Sequence, residues 1–337
     1  MSFEFDLPVI WLFLIGFAIA MYVVMDGFSL GVGILFPFVK PDDHRDVMMN
    51  SVAPVWDGNQ TWMILGGAGL YGAFPLAYAV YLPAMYLPLI LMVLALIFRG
   101  IAFEFRFKST RSRPFFDAVF SGGSMIATFS QGVVLGGIIQ GVNVVDRQYS
   151  GGAFDWLSPF SMFTGLALVL GYGLLGASWL IVKTEGGLQR RFYYLARPFA
   201  ILLAVAMAVV SIWTPLANSR IFDIWFTMPN MLWLAVMPIL FLLLVYSIIK
   251  GIIERHERLI FVKSIALFVL GLVGLVISFF PLIIPPSITV WEAASSSKSQ
   301  SFLIVGYCVL IPVIMAYTFY SYRVFRGKVR IGEGYHH

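Results

Sequence analysis

Charged residues are scarce in this chain: Asp, Glu, Lys and Arg make up 12% of 337 residues, about half the share found in soluble domains. That shortage excludes a soluble globular domain. With 60% hydrophobic residues it also excludes disorder, which requires high charge and low hydrophobicity. Glycine shows no period of three and there are no sustained heptads, so collagen and coiled-coil classes fail too. Cysteine is reduced to Cys308, which rules out an internal disulfide and any multi-cysteine metal or iron–sulfur site. Its apolar setting reads as a small buried residue. Histidine is limited to His44 and His256 in basic loops and His336 and His337 at the end. No apolar run offers a histidine axial ligand for a haem in the bilayer. The 15 methionines are potential single ligands, but methionine in apolar helices is chiefly a gap filler. There is no Walker loop, because glycine pairs such as Gly66-Gly67 lie inside apolar runs without the strand-to-helix context of a phosphate loop.

What the chain does have is length in its apolar runs. A bilayer core needs ~20 apolar residues per helix, and nine stretches qualify: 8–38, 54–79, 81–98, 115–141, 157–182, 198–217, 229–249, 260–285 and 301–322. They are continuous, unlike the alternating ~10-residue segments of a membrane barrel. Spans two and three are nearly fused through Ala79, Val80 and Tyr81, which predicts a tight hairpin there. Placing the N-terminus outside puts all but three of the 22 Lys and Arg on the inner side, the exceptions being Arg147, Arg220 and Lys298. This is the positive-inside distribution. It also accounts for the net charge of +5 without nucleic acid. The expectation is an all-α, polytopic membrane protein over 1–337, a single integral domain of nine transmembrane helices with the N-terminus outside and the C-terminus cytoplasmic. The first span is read as uncleaved, since Glu4 and Asp6 precede it where a signal peptide carries basic residues. No loop exceeds about twenty residues, so any chemistry belongs in the membrane.

Ionisable groups inside spans are costly and mark function or pairing. Asp26 lies within the first span, in the segment Asp26 to Gly33 that also contains Ser29 and the close-approach pair Gly27 and Gly31. In Pro54 to Trp62, Asp57, Gln60 and Thr61 fall at i, i+3 and i+4, one helical face. That stripe is expected to point inward. Asp57 near the cytoplasmic mouth and Asp26 deeper then form a stepwise proton route, with Gln60 and Ser29 as further candidates. N-capping by Asp57 within an aromatic belt is the alternative. Trp56 and Trp62 are candidates for contact with a quinone or lipid. In the fourth span Asp117, Ser121, Ser124, Thr128 and Gln131 share one face, either interhelical glue or a hydrated path. Arg99, Glu104 and Arg106 follow span three, where snorkelling at the inner interface is expected. Glu292 sits in a loop. No constellation supplies a metal site or an identifiable catalytic residue in this chain.

The segments Asp26 to Gly33, Pro54 to Trp62, Ala73-Phe74-Pro75 with Tyr78-Ala79, Phe98 to Arg106 and Val290 to Ser296 resemble the second subunit of cytochrome bd-type quinol oxidases, including the cyanide-insensitive branch. Ser29 stands where many members carry a second Asp, and Glu292 where some carry Asp. The resemblance implies two four-helix bundles plus one extra helix in a bacterial cell inner membrane. It implies a haem-poor subunit of an enzyme that oxidises quinol and reduces dioxygen to water. Haem b and haem d, or haem b alone, would sit in a haem-bearing subunit I. This chain would stabilise that partner, contribute a proton route through Asp26 and Asp57, and hold a structural quinone beside Trp56. A small single-helix subunit is a further expected partner. Two other readings stay open: an ion-coupled secondary transporter, for which neither an inverted repeat nor a midplane site is found, and a purely structural assembly subunit.

Overall fold

The computed structural model describes residues 6–332; Glu4, His336 and His337 lie outside the described residues. Hydrocarbon supplies no hydrogen bonds, so a spanning backbone must satisfy itself as helix, and helices dominate the chain. They are α1 (Leu7–Leu35), α2 (Asp42–Asn50), α3 (Trp56–Ala73), α4 (Pro75–Ala84), α5 (Tyr86–Phe105), α6 (Arg113–Gln140), α7 (Pro159–Lys183), α8 (Gly186–Ala217), α9 (Ser219–Phe226), α10 (Asn230–Leu234), α11 (Val236–Ile253), α12 (Glu257–Phe279), α13 (Val290–Ala293) and α14 (Ser297–Val324). Among the described residues eight helices are long and apolar enough to cross a membrane, and the bent pair α3–α4 brings the number to nine.

The second span differs from expectation in where it turns. α3 ends at Ala73 and the axis bends by 118° into α4; the chain turns at Phe74, not at Ala79 to Tyr81. Pro75 is the cause, because proline disfavours helical backbone at the residue before it, and Phe74 accordingly sits at φ −130°, ψ 64°. α4 is therefore a separate ten-residue segment between two spans.

α1 and α7 cross in backbone contact. A Cβ added to Gly31 would lie 1.8 Å from the Tyr172 carbonyl oxygen, and one added to Gly176 would lie 2.3 Å from the Gly31 carbonyl carbon. Only glycine permits this approach. Around the crossing, α1, α5, α6 and α7 form one group with α3 against α1, and α8, α11 and α12 form a second group against α7; α14 packs on α3 and α1.

One end of the bundle carries two hairpins, β1 (Val144–Val145) with β2 (Gln148–Tyr149) and β3 (Leu282–Ile284) with β4 (Ile288–Thr289). They are tied by Val142 N–H to the Pro285 carbonyl at 3.0 Å and by the Tyr81 hydroxyl to the Ile283 carbonyl at 2.7 Å. At the opposite end the segment after α14 is pinned to the α7–α8 corner. Lys183 donates to the carbonyls of Phe325 and Gly327, and Lys328 pairs with Glu257 at 3.0 Å.

Candidate functional site: a buried ion pair and its hydrogen-bond chain

Asp26 and Arg99 are both fully buried. Asp26 comes from the middle of α1 and Arg99 from the last two turns of α5. The Arg99 Nη1 donates to both carboxylate oxygens, at 3.0 and 3.2 Å, while Nη2 donates to the Ser29 hydroxyl one turn along α1. Snorkelling is thereby corrected for Arg99. A guanidinium with a buried acid in hydrogen-bond reach on α1 gains more from pairing than from reaching the interface, since breaking a buried pair leaves an uncompensated charge. The Arg99 guanidinium also lies 5.7 Å from the Phe103 ring centroid, and Phe103 stacks on Trp56 at 4.8 Å with planes 7° apart. Trp56 is half-buried and its ring is occupied by Phe103 on one face.

A hydrogen-bond chain approaches Asp26 from the other side. Tyr22 stands one turn before it on α1 and is itself buried. Gln131 of α6 donates from Nε2 to the Tyr22 hydroxyl at 2.7 Å, and its Oε1 accepts from the Tyr172 hydroxyl of α7 at 3.1 Å. The rest of the α6 seam is buried with it. Thr128 donates to the Ser124 carbonyl of its own helix at 2.8 Å, Ser121 is buried, and Ser124 lies under Gly33, where an added Cβ would be 2.0 Å from its hydroxyl.

A second charge cluster closes the end of the bundle near α2. The fully buried Arg106 reaches Asp117 through Nε and Asp46 through Nη1, the latter at 2.5 Å. Arg45 pairs with Asp117 at 2.7 Å, and Arg113 holds both oxygens of Asp46 at 2.5 and 2.6 Å. Arg45 and Arg106 both face the Phe36 ring, 5.3 and 5.4 Å from its centroid. Two carboxylates among three guanidiniums make a network, the arrangement in which ion pairs hold structure.

The stripe Asp57, Gln60 and Thr61 does not point inward. α3 buries Asn59, Trp62, Leu65, Gly66, Gly69 and Ala73, whereas Asp57 is exposed and Gln60 and Thr61 are half-buried. The i, i+3, i+4 rule groups residues on a face without saying which face packs. Asn59 makes the inward link instead: its Nδ2 donates to the Met25 carbonyl at 2.8 Å, and its Oδ1 accepts from Tyr322 of α14 at 2.9 Å. Trp62 is fully buried, edge-on to Phe17 at 5.7 Å, a correction to its expected contact with quinone or lipid. Glu104 is exposed and pairs with Lys108 at 3.6 Å. Glu292 closes a capping box, its carboxylate accepting from the Thr289 backbone N–H at 2.8 Å. That bond first, then the Thr289 hydroxyl, holds its carboxyl below the usual glutamate range.

Asp46, Asn59, Tyr22 and Tyr172 are the site residues that sequence reasoning missed, whereas Arg106, expected to snorkel, is fully buried at the C-cap of α5. Tyr22 had a signal, at i−4 from Asp26.

The donor set of the described residues does not suit a haem. His44 lies in α2 and His256 caps α12 beside Glu254, and no group of three or more His, Cys, Asp or Glu is gathered among the described residues.

The model of the family described as cytochrome bd terminal oxidase subunit II matches residues 7–325. Cytochrome bd-I ubiquinol oxidase subunit 2 of Escherichia coli K12 is 30% identical, the match covering 95% of this chain and 94% of that protein. Cytochrome bd ubiquinol oxidase subunit 2 of Bacillus subtilis 168 is 28% identical over 95% and 96%. The solved structure of bd oxidase from Geobacillus thermodenitrificans superposes with a TM-score of 0.79 at 17% identity, covering 95% of this chain and 98% of that one, a likeness of fold.

Proposed function

We propose a division of labour for this chain, which belongs to the cytochrome bd terminal oxidase subunit II family. It is the second subunit of a terminal quinol oxidase, a multi-pass protein of the bacterial inner membrane and part of a haem-containing oxidoreductase complex with a partner subunit. On our reading the partner is a haem-bearing subunit I, which holds haem b and haem d or haem b alone. This chain binds no haem by itself; it stabilises that partner and contributes to proton delivery from the cytoplasmic side. A structural quinone beside Trp56 and a small single-helix subunit complete the proposed complex. An ion-coupled transporter is not favoured by the family.

One observation carries the proton reading: the fully buried Asp26, in a membrane helix, paired with Arg99, which also holds Ser29. Reducing dioxygen to water consumes protons, and hydrocarbon gives them no path except through exchangeable groups. The haem supplies the redox chemistry when bound in the partner. What this chain does is hold and move a proton at the Asp26 carboxylate. On protonation Asp26 leaves Arg99 with one acceptor fewer, and Ser29, already bonded to Nη2, retains the guanidinium. Asp57, on the exposed face of α3, serves as a surface acid at the mouth.

A purely structural role is the second reading, favoured by the completeness of the Asp26–Arg99 pair. The two separate in the assembled complex carrying Asp26→Asn, which keeps size and hydrogen bonding but cannot ionise. Proton delivery predicts turnover reduced by about 100-fold, the scale of a lost proton-transfer group, with the reduced-minus-oxidised haem spectrum unchanged. Loss of haem together with activity would establish the assembly role instead. Stoichiometric haem retained by this subunit when isolated would contradict the division of labour.

A further inference from the structure

Asp26 is held twice, through its carboxylate by Arg99 of α5 and through its backbone by Asn59 of α3. The Met25 carbonyl belongs to the peptide unit that carries the Asp26 N–H, and Asn59 Nδ2 donates to it at 2.8 Å. A helical carbonyl gives one lone pair to the N–H four residues on and keeps a second, so α1 loses no bond of its own. On the far side of the amide, the Tyr322 hydroxyl donates to Asn59 Oδ1 at 2.9 Å. The polarity is fixed, because a backbone carbonyl only accepts and the Asn59 nitrogen must therefore face it. Asn59 is buried. The Tyr322 ring is edge-on to Phe28 of α1 and to Trp179 of α7, with centroids 6.2 and 6.1 Å away. α14 ends two residues later, in the segment pinned by the Val329 N–H to the Lys183 carbonyl at 2.8 Å. Gly58 lets α14 seat directly on the first turn of α3, since an added Cβ would lie 1.7 Å from the Tyr317 hydroxyl oxygen.

We propose that Asn59 is a positioning residue: it registers the Asp26 peptide against the first turn of α3, and Tyr322 holds its amide in the rotamer that reaches α1. This rests on the proton role assigned to Asp26. Arg99 sets where the carboxylate points, and Asn59 sets where its backbone stands. The same turn of α3 carries Asp57 on its exposed face and Asn59 on its buried one, so one bond fixes the inner acid relative to the outer. A buried amide left without a partner costs more than its bond contributes when made. The tie therefore favours a single register of α1 on α3. α14, which buries few residues, thereby has a purpose at the site that its thin packing does not suggest.

The test uses the assembled oxidase, with turnover measured per haem. Asn59→Leu keeps the volume and removes both bonds; turnover is expected to fall about tenfold. Tyr322→Phe loses one hydroxyl and should cost about threefold, both within the range of a lost neutral hydrogen bond. Because Asn59 acts through Asp26, adding Asn59→Leu to Asp26→Asn should slow turnover no further, whereas independent losses would multiply. Tyr322→Phe added to Asp26→Asn gives the same comparison if Asn59→Leu does not assemble. Tyr307→Phe removes the other hydroxyl bond from α14 to α3, at the Leu65 carbonyl, and should leave turnover per haem unchanged. Multiplied losses in the double variants, or a loss in Tyr307→Phe equal to that in Tyr322→Phe, would overturn the positioning role while leaving the proton reading intact. Unchanged turnover in Asn59→Leu would do the same. Normal turnover in Asp26→Asn would overturn that reading itself, and the positioning role with it.

Discussion

The two halves of the chain solve the same problem differently. From α1 to α7 the helices enclose charge. Asp26 with Arg99, and Asp46 and Asp117 with Arg45, Arg106 and Arg113, are buried or half-buried pairs, and backbone contact at Gly31 and Gly176 brings helices close. From α8 onward the spans are apolar on nearly every side. α11 buries only Ile248, Gly251 and Ile252, and α14 only Gln300, Tyr307 and Thr318. The interhelical bonds there include Trp225 to Ser278 at 2.9 Å, Tyr307 to the Leu65 carbonyl at 2.6 Å and Gln189 to Glu257 at 2.8 Å. Lipid is as apolar as leucine, so the second half gains little by excluding it. The first half cannot tolerate lipid at its charges. The half with the buried ion pairs is therefore the half that must stay closely packed.

If that contrast holds, the largest effect belongs to Arg99→Leu. Removing the cation leaves Asp26 as a buried unpaired carboxylate, a loss of about 3–5 kcal/mol. Thermal unfolding of the complex in detergent should show it, and Asp26→Asn in the same chain should restore most of the loss. Next comes Gly31→Ala. Its Cβ would collide with the Tyr172 backbone, and the forced separation of α1 and α7 should cost about 1–3 kcal/mol. Ser278→Ala in the second half removes the Trp225 bond and should cost only about 0.6 kcal/mol, the average for such bonds between membrane helices. A larger loss than that for Gly31→Ala would reverse the ranking of the halves.

The smallest effect is one of pH at the hairpin end. The Glu292 carboxyl is held below the usual range, chiefly by the Thr289 backbone N–H. A depressed folded value means that its contribution is fully present above the ordinary glutamate range and is lost as pH falls through the folded value. The protection factors of the Thr289 and Glu292 amides, corrected for intrinsic exchange, should fall on acidification across that window and stay constant above it. The amides around the Asp26–Arg99 pair of α1 and α5 should keep their protection over the same change.

Much of this was legible before any coordinates. Long apolar runs mark spans because the bilayer sets a length, and Asp26, Gly31 and the α6 seam stood out as polar or small residues in apolar surroundings. The partners were not legible. Arg99 is 73 positions from Asp26 and Arg106 is 60 from Asp46, and helical periodicity relates only residues a few positions apart. The inward facing expected of the Asp57 stripe failed for a related reason: α3 has polar residues on two faces, Asn59 on one and Asp57 on the other, and spacing alone does not say which packs. The bend at Phe74 had its signal in Pro75, hidden by the unbroken hydropathy of residues 70–84.

Proton uptake during a single turnover of the fully reduced complex, followed with a pH indicator on the cytoplasmic side, addresses the role of Asp26 most directly. With haem content matched to the parent, Asp26→Asn should slow uptake and the protonation-dependent phase of oxygen reduction together, by about 100-fold, while Glu104→Gln on the exposed surface should leave both unchanged. Uptake in Asp26→Asn at the parent rate would contradict the account and make the Asp26–Arg99 pair a structural tie alone.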